Sequence, residues 1–135
     1  MKVEPYLFFG GNCEAALSFY QEKLGAELVF VQRFKDAPPE AGCGDAPPEG
    51  IMHASLKIGD TFMLASDGDG DAKPFGSVAM SLLVKDLAEG HRMFDALADG
   101  GTVVMPLQKT FWSEGFGTVT DRFGVPWMVN TISAR

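Results

Sequence analysis

The feature that most constrains the fold is an internal duplication. Val3 to Phe9 is a short apolar strand candidate, broken by Gly10-Gly11-Asn12. Asn12 can cap a helix running to Leu24, with Ala15, Ala16, Phe19, Tyr20 and Leu24 at helical spacing. Gly25 suits the left-handed residue that ends such a helix, and Ala26 to Phe34 then reads as a strand. The pattern returns in the second half. Ser77 to Val84 is a strand candidate, Asp86 a cap, and Leu87, Phe94 and Leu97 one helical face; Gly100-Gly101 ends the helix and Thr102 to Met105 resumes the extended pattern. The caps Asn12 and Asp86 lie 74 residues apart, and the terminating glycines Gly25 and Gly100 lie 75 apart. Each half then closes with a hairpin. In the first, Met52 to Ile58 and Thr61 to Ala65 flank Gly59-Asp60; in the second, Gly117 to Thr120 and Val125 to Ile132 flank Asp121 to Gly124. The expected fold class is α+β: two βαβββ units, paired to form a curved mixed-sheet cleft. Unit one spans 1–66, unit two 77–135, and an acidic linker covers 67–76, all within one domain of 135 residues.

That length can bury a core without staples. Cys13 and Cys43 show no metal or redox spacing, which suits a reduced, cytoplasmic setting. Eighteen acids against eleven bases give a net charge of −7, which argues against nucleic acid as a partner. No apolar run reaches the length of a membrane span, and Met1-Lys2-Val3-Glu4-Pro5 lacks the character of a signal peptide. A Pro-rich loop over 36–50 repeats Asp-Ala-Pro-Pro-Glu at Asp36 and Asp45; with four prolines and four acids it reads as a surface excursion.

Asp67, Asp69 and Asp71 have the alternating acids of a calcium loop. The positions that require glycine and glutamate hold Ala72 and Val78, so the segment reads as a solvated acidic linker. Gly10-Gly11 falls short of a nucleotide fingerprint and instead allows a sharp turn from strand to helix. Of two histidines, His91 sits on a helix surface or flank. His53 opens an alternating strand in which His53, Ser55 and Lys57 share one face and Ala54, Leu56 and Ile58 the other. Trp127 and Val129 alternate with Met128 and Asn130, so one pair packs inward and the other faces any cavity. Core packing is the expectation for both Trp112 and Trp127. Spacing alone names no hydrogen-bond partner for His53.

Three stretches carry a resemblance. They are Pro5-Tyr6-Leu7-Phe8-Phe9-Gly10-Gly11-Asn12-Cys13-Glu14-Ala15-Ala16 running on to Phe19-Tyr20, Met52 to Asp60, and Trp112 to Asn130 around Thr120-Asp121-Arg122-Phe123-Gly124-Val125-Pro126-Trp127. Together they resemble the vicinal oxygen chelate (glyoxalase/bleomycin resistance/dioxygenase) superfamily, and within it the PhnB-like branch. The resemblance implies that two units wall one cleft and that chains pair as homodimers. Metal-dependent members place His or Glu ligands on four cleft strands, near Pro5, Ser55, Ala79 and Met128 here. None of these offers imidazole or carboxylate, which implies that no metal is held and no cofactor is used. A methyltransferase label carried by PhnB-like relatives finds no nucleotide-sized cradle in this chain.

The expected function is therefore small-molecule binding in that cleft, with Leu7, Phe9, Met80, Trp112, Met128 and Asn130 as walls and His53 and Ser55 as polar handles. The acidic charge favours cationic ligands. Two alternatives stay open. One is an enzyme, either of glyoxalase/dioxygenase type or a metal-free acid/base catalyst using His53 with Asp121 or Glu114. The other is an interaction module with a filled cleft.

Overall fold

The computed structural model describes residues 1–42 and 44–131; Cys43 and the end of the last expected strand, Ile132, lie outside the described residues. The chain divides into two compact units, Met1–Lys73 and Pro74–Arg135. Unit one contains β1 (Tyr6–Phe8), α1 (Cys13–Leu24), β2 (Glu27–Arg33), β3 (Ile51–Ile58) and β4 (Thr61–Ser66). Unit two contains β5 (Met80–Val84), α2 (Leu87–Ala98), β6 (Thr102–Gln108), β7 (Phe116–Thr120) and β8 (Pro126–Thr131). The two sheets have the same order, β1-β4-β3-β2 and β5-β8-β7-β6, each with one parallel pair at an edge. The duplicated βαβββ topology expected from the caps and glycines is the topology observed.

One face of each sheet carries a helix. In unit one Ala54 and Leu56 of β3 and Met63 and Ala65 of β4 are buried, as are Ala16, Leu17 and Tyr20 of α1. Complete burial of a residue such as Leu56 contributes about 1.5–3 kcal/mol. Their strand neighbours point to the other, open face, since side chains alternate along a strand. Unit two repeats the arrangement, with Phe94 and Leu97 of α2 buried together with Val119, Trp127 and Val129.

The two helices start differently. Asp86 caps α2 conventionally, its carboxylate accepting from Glu89 N–H at 2.8 Å. Asn12 precedes α1 but makes no side-chain cap. Its place is taken by a residue 55 positions on. Asp67 Oδ1 accepts from Gly11 N–H at 2.8 Å and Cys13 N–H at 2.9 Å, and Oδ2 accepts from Ile51 N–H at 2.8 Å. The solvated-linker expectation thus fails at Asp67, which is 6% exposed and holds three backbone donors. It holds for Asp69 and Asp71, which are exposed. The following residues also stay on unit one. Gly10 has φ +55°, and a Cβ there would collide with the Ala72 backbone, so the tight turn between β1 and α1 requires glycine.

Cys13 is fully buried beside Asp67. Burial, with the neighbouring Asp67 and Glu14 charges, pushes its thiol up to about 12 from an ordinary 9.0. A raised acid binds its proton longer in the folded state than in the unfolded one. Its stabilising contribution is therefore intact below pH 9 and is lost as pH rises toward 12, at up to about 1.4 kcal/mol per pH unit. Thermal melts between pH 8 and 11 are expected to show this decline, and Cys13→Ala to flatten it.

The Pro-rich loop is exposed for most of its length but anchored at its base. Phe34 N–H donates to Gly50 O and Lys35 N–H to Pro48 O, both at 3.0 Å, and Lys35 pairs with Glu49 at 3.0 Å. Arg33 adds a bond to Glu49 O at 2.6 Å and an ion pair with Glu14 on α1.

Candidate functional site

The open face of unit one is built on the three strands β1, β4 and β3 with the edge strand β2. Register sets two rows across it. Phe8 lies beside Ser66, and Gln32 beside His53; one step along, Tyr6 lies beside Leu64, which lies beside Ser55, which lies beside Phe30. Tyr6 and Phe8 stack with centroids 4.8 Å apart. The His53 ring lies between Tyr6, at 5.6 Å, and Phe30, at 5.9 Å. The Tyr6 hydroxyl is 2.9 Å from His53 Nδ1. Phe8 is 55% and Phe30 48% exposed, so this aromatic surface is accessible. Burial raises the Tyr6 phenol above its ordinary value.

Two expected wall residues belong elsewhere. Leu7 and Phe9 are 5% and 3% exposed and lie in the helix-covered core, where the Phe9 ring meets Tyr20 at 6.4 Å. The strand alternates, so placing Leu7 inward puts Tyr6 and Phe8 outward. The expected parity of β1 is thus the opposite of the observed one. The signal that could have corrected it was Gly10-Gly11, where a strand-to-helix turn must bring the residue just before it under the helix. Tyr6 was missed as the partner of His53 because they are 47 residues apart and meet only across β4.

In unit two, Met128 (37% exposed) and Asn130 face the open side, as expected, while Trp127 and Val129 pack inward. Met80 is corrected. It pairs in register with Trp127 and so sits on the helix-covered side; Ser81 and Leu83, paired with Met128 and Asn130, take the open side. Trp112 does not join the core. It is 49% exposed, with edge contacts to Phe111 at 4.7 Å and Phe116 at 5.5 Å. Phe116 lies in register with Asn130, whose Oδ1 is enclosed without a hydrogen-bond partner among the described residues.

The two expected acid/base partners of His53, Asp121 and Glu114, both belong to unit two. Asp121 is 3% exposed and occupied at the β7–β8 turn: Oδ1 accepts from Phe123 N–H at 2.9 Å and Val125 N–H at 3.0 Å, and Oδ2 from Trp127 Nε1–H at 2.9 Å. Glu114 is exposed on the loop between β6 and β7. Thus Ser55, His53 and Tyr6 gather on one sheet, and Met128 and Asn130 on the other, with Trp112 on the β6–β7 loop against Phe116. Among the described residues no three of His, Cys, Asp and Glu group closely enough to hold a metal ion, and no helix is long and apolar enough to cross a membrane.

The chain is 40% identical over 148 residues to Protein YjdN of Escherichia coli strain K12, covering all of this chain and 98% of that protein. The crystal structure of protein PA1353 from Pseudomonas aeruginosa superposes with a TM-score of 0.85 at 42% identity, covering 97% of each chain. A PhnB protein from Bacillus cereus shares the fold at a TM-score of 0.80 and 23% identity, covering 98% of this chain and 100% of that one. The family model described as Glyoxalase/Bleomycin resistance protein/Dioxygenase superfamily matches residues 2–129. With its two βαβββ units and a match over nearly its whole length, the chain belongs to the glyoxalase/bleomycin resistance protein/dioxygenase superfamily.

Proposed function

We propose that this protein is a PhnB-like member that binds a small organic molecule on its open sheet faces, without a metal ion, in the cytoplasm. The observation that carries this reading is the Tyr6–His53 pair at 2.9 Å, set among exposed aromatic rings on the face that α1 leaves uncovered. Such a surface offers apolar area with a few convergent polar groups, the usual makeup of a ligand site. Met128 and Asn130 on the second sheet, with Trp112 on the adjoining loop, offer the same combination. The donor set does not fit the divalent ion of metal-dependent relatives. Around His53 it consists of hydroxyls from Tyr6, Ser55 and Ser66 and the Gln32 amide, all weaker ligands than carboxylate or imidazole. Elemental analysis of purified protein tests this point directly, and stoichiometric zinc, nickel or iron would overturn it. His53→Ala is expected to weaken binding of a retained ligand about tenfold by removing one hydrogen-bonding group. The half-exposed position makes a change in melting temperature small, which separates loss of binding from loss of fold.

The same pair supports a second reading, proton transfer at His53 with Tyr6 as the orienting group. Recovery of a bound ligand chemically unchanged after incubation favours the binder; conversion that vanishes in His53→Ala favours the enzyme.

We also propose a homodimer. The sheet-edge strands β2 and β6 expose Val29, Val31, Val103 and Val104, and apolar edges of this kind favour pairing with another chain. Light scattering is expected to give twice the chain mass of 14.5 kDa; the single-chain mass would refute pairing.

A further inference from the structure

The chemistry of the unit-one face runs against the charge of the whole chain. The net charge of −7 favours cations at long range. Yet the open-face positions of β1, β4 and β3 carry no carboxylate: they hold Tyr and Phe, then Phe, Leu and Ser, then His53, Ser55 and Lys57. The Lys57 ammonium lies 6.0 Å from the Phe62 ring at one end of this face. The one acid in register is Glu27, on the edge strand opposite Lys57 itself. At the centre His53 Nδ1 is engaged by Tyr6, and Nε2 makes no hydrogen bond among the described residues. A neutral imidazole has one donor and one acceptor nitrogen, and a phenol is a stronger donor than acceptor.

We infer that Tyr6 donates to His53 Nδ1 and fixes the Nε2–H tautomer, so that this face takes a planar aromatic ligand bearing an oxygen acceptor, a carboxylate or carbonyl, in preference to a cation. The inference rests on the proposed binding role of the same face. The flat part of the ligand stacks on Phe8 and Phe30, and its oxygen accepts from Nε2–H. Tyr6 acts here as a positioning residue: it sets which imidazole nitrogen carries the proton. The raised phenol keeps its proton available for that bond.

The test has two independent arms. In the first, nitrogen-15 spectra of the histidine rings of the ligand-free protein, assigned with His53→Ala, are expected to show the Nε2–H pattern for His53 and a tautomer mixture in Tyr6→Phe. An Nδ1–H pattern in the unaltered protein would overturn the inference without touching the binding reading. In the second, three probes of one shape are titrated: naphthoate, naphthalene and naphthylmethylammonium. Naphthoate is expected to bind at least about tenfold more tightly than the ammonium, since a charge-assisted hydrogen bond supplies that difference. Tyr6→Phe is expected to erase most of naphthoate's advantage over naphthalene. Equal affinity for all three probes, or preference for the ammonium, would overturn the inference and leave the binding reading standing. Absence of any probe-induced shift at β1 or β3 would overturn both.

Discussion

Asp67→Ala is expected to destabilise the protein by roughly 3–5 kcal/mol, because it strips the acceptor from three backbone N–H groups, two of them buried. The total stability of a domain this size is about 5–15 kcal/mol, so the variant should lose most of its margin and express poorly at 37 °C. The mechanism is specific. Gly11 and Cys13 N–H groups begin α1, Ile51 N–H begins β3, and one carboxylate joins the two starts. The N-terminal end of α1 also favours a negative charge. Asp67→Asn keeps one carbonyl oxygen but turns an NH2 group toward a donor, so an intermediate loss of about 2 kcal/mol is expected. Urea denaturation measures both. If Asp67→Ala were within 0.5 kcal/mol of the parent, with unchanged slope, the assigned structural role of this carboxylate would be wrong.

Asp121→Ala is expected to cost roughly 3–4 kcal/mol in unit two for a related reason. Its carboxylate satisfies two N–H groups of the β7–β8 turn and the indole N–H of Trp127, which is 2% exposed. Removing it leaves a buried indole N–H without its acceptor and loosens the turn that sets the β7–β8 register. Trp127→Phe removes only the indole partner and leaves a modest void, for about 2 kcal/mol. The two residues contact each other, so their costs should not add: the double variant is expected to be more stable than the sum predicts. Additive costs in such a cycle would show that the indole bond contributes nothing.

The two carboxylates show where reading a sequence reaches its limit. Asp121 lies in an evident turn, four residues before Val125, and a turn-forming role is a local property. Asp67 sits among glycines and other acids, and nothing in the string separates it from Asp69 or Asp71. Only when β4 ends beneath α1 does Asp67 face three unsatisfied donors, while its two neighbours remain in water.

The same division applies to the open faces. On β3 and β8, alternation over several residues assigned His53, Ser55, Met128 and Asn130 to the uncovered side. On β1 and β5 it misassigned Leu7, Phe9 and Met80. Those two strands are apolar at nearly every position, so period two leaves no contrast from which to choose a side. Tertiary pairing supplies it: β1 runs parallel to β4, with Leu7 beside Ala65, and β5 parallel to β8, with Met80 beside Trp127.

The sequence by itself determined the duplicated βαβββ order, because caps, helix-ending glycines and hairpin turns are signals between residues near one another in the chain. It also determined the residue types available for chemistry, with His53 the one histidine on a strand. Tertiary structure alone decided which residues meet. Tyr6 reaches His53 across β4, Asp67 reaches the start of α1, and Asp121 reaches Trp127, each through strand register and helix placement. Hydrogen bonds act over about 3 Å, and a chain brings residues 47 or 54 positions apart to that distance only by folding.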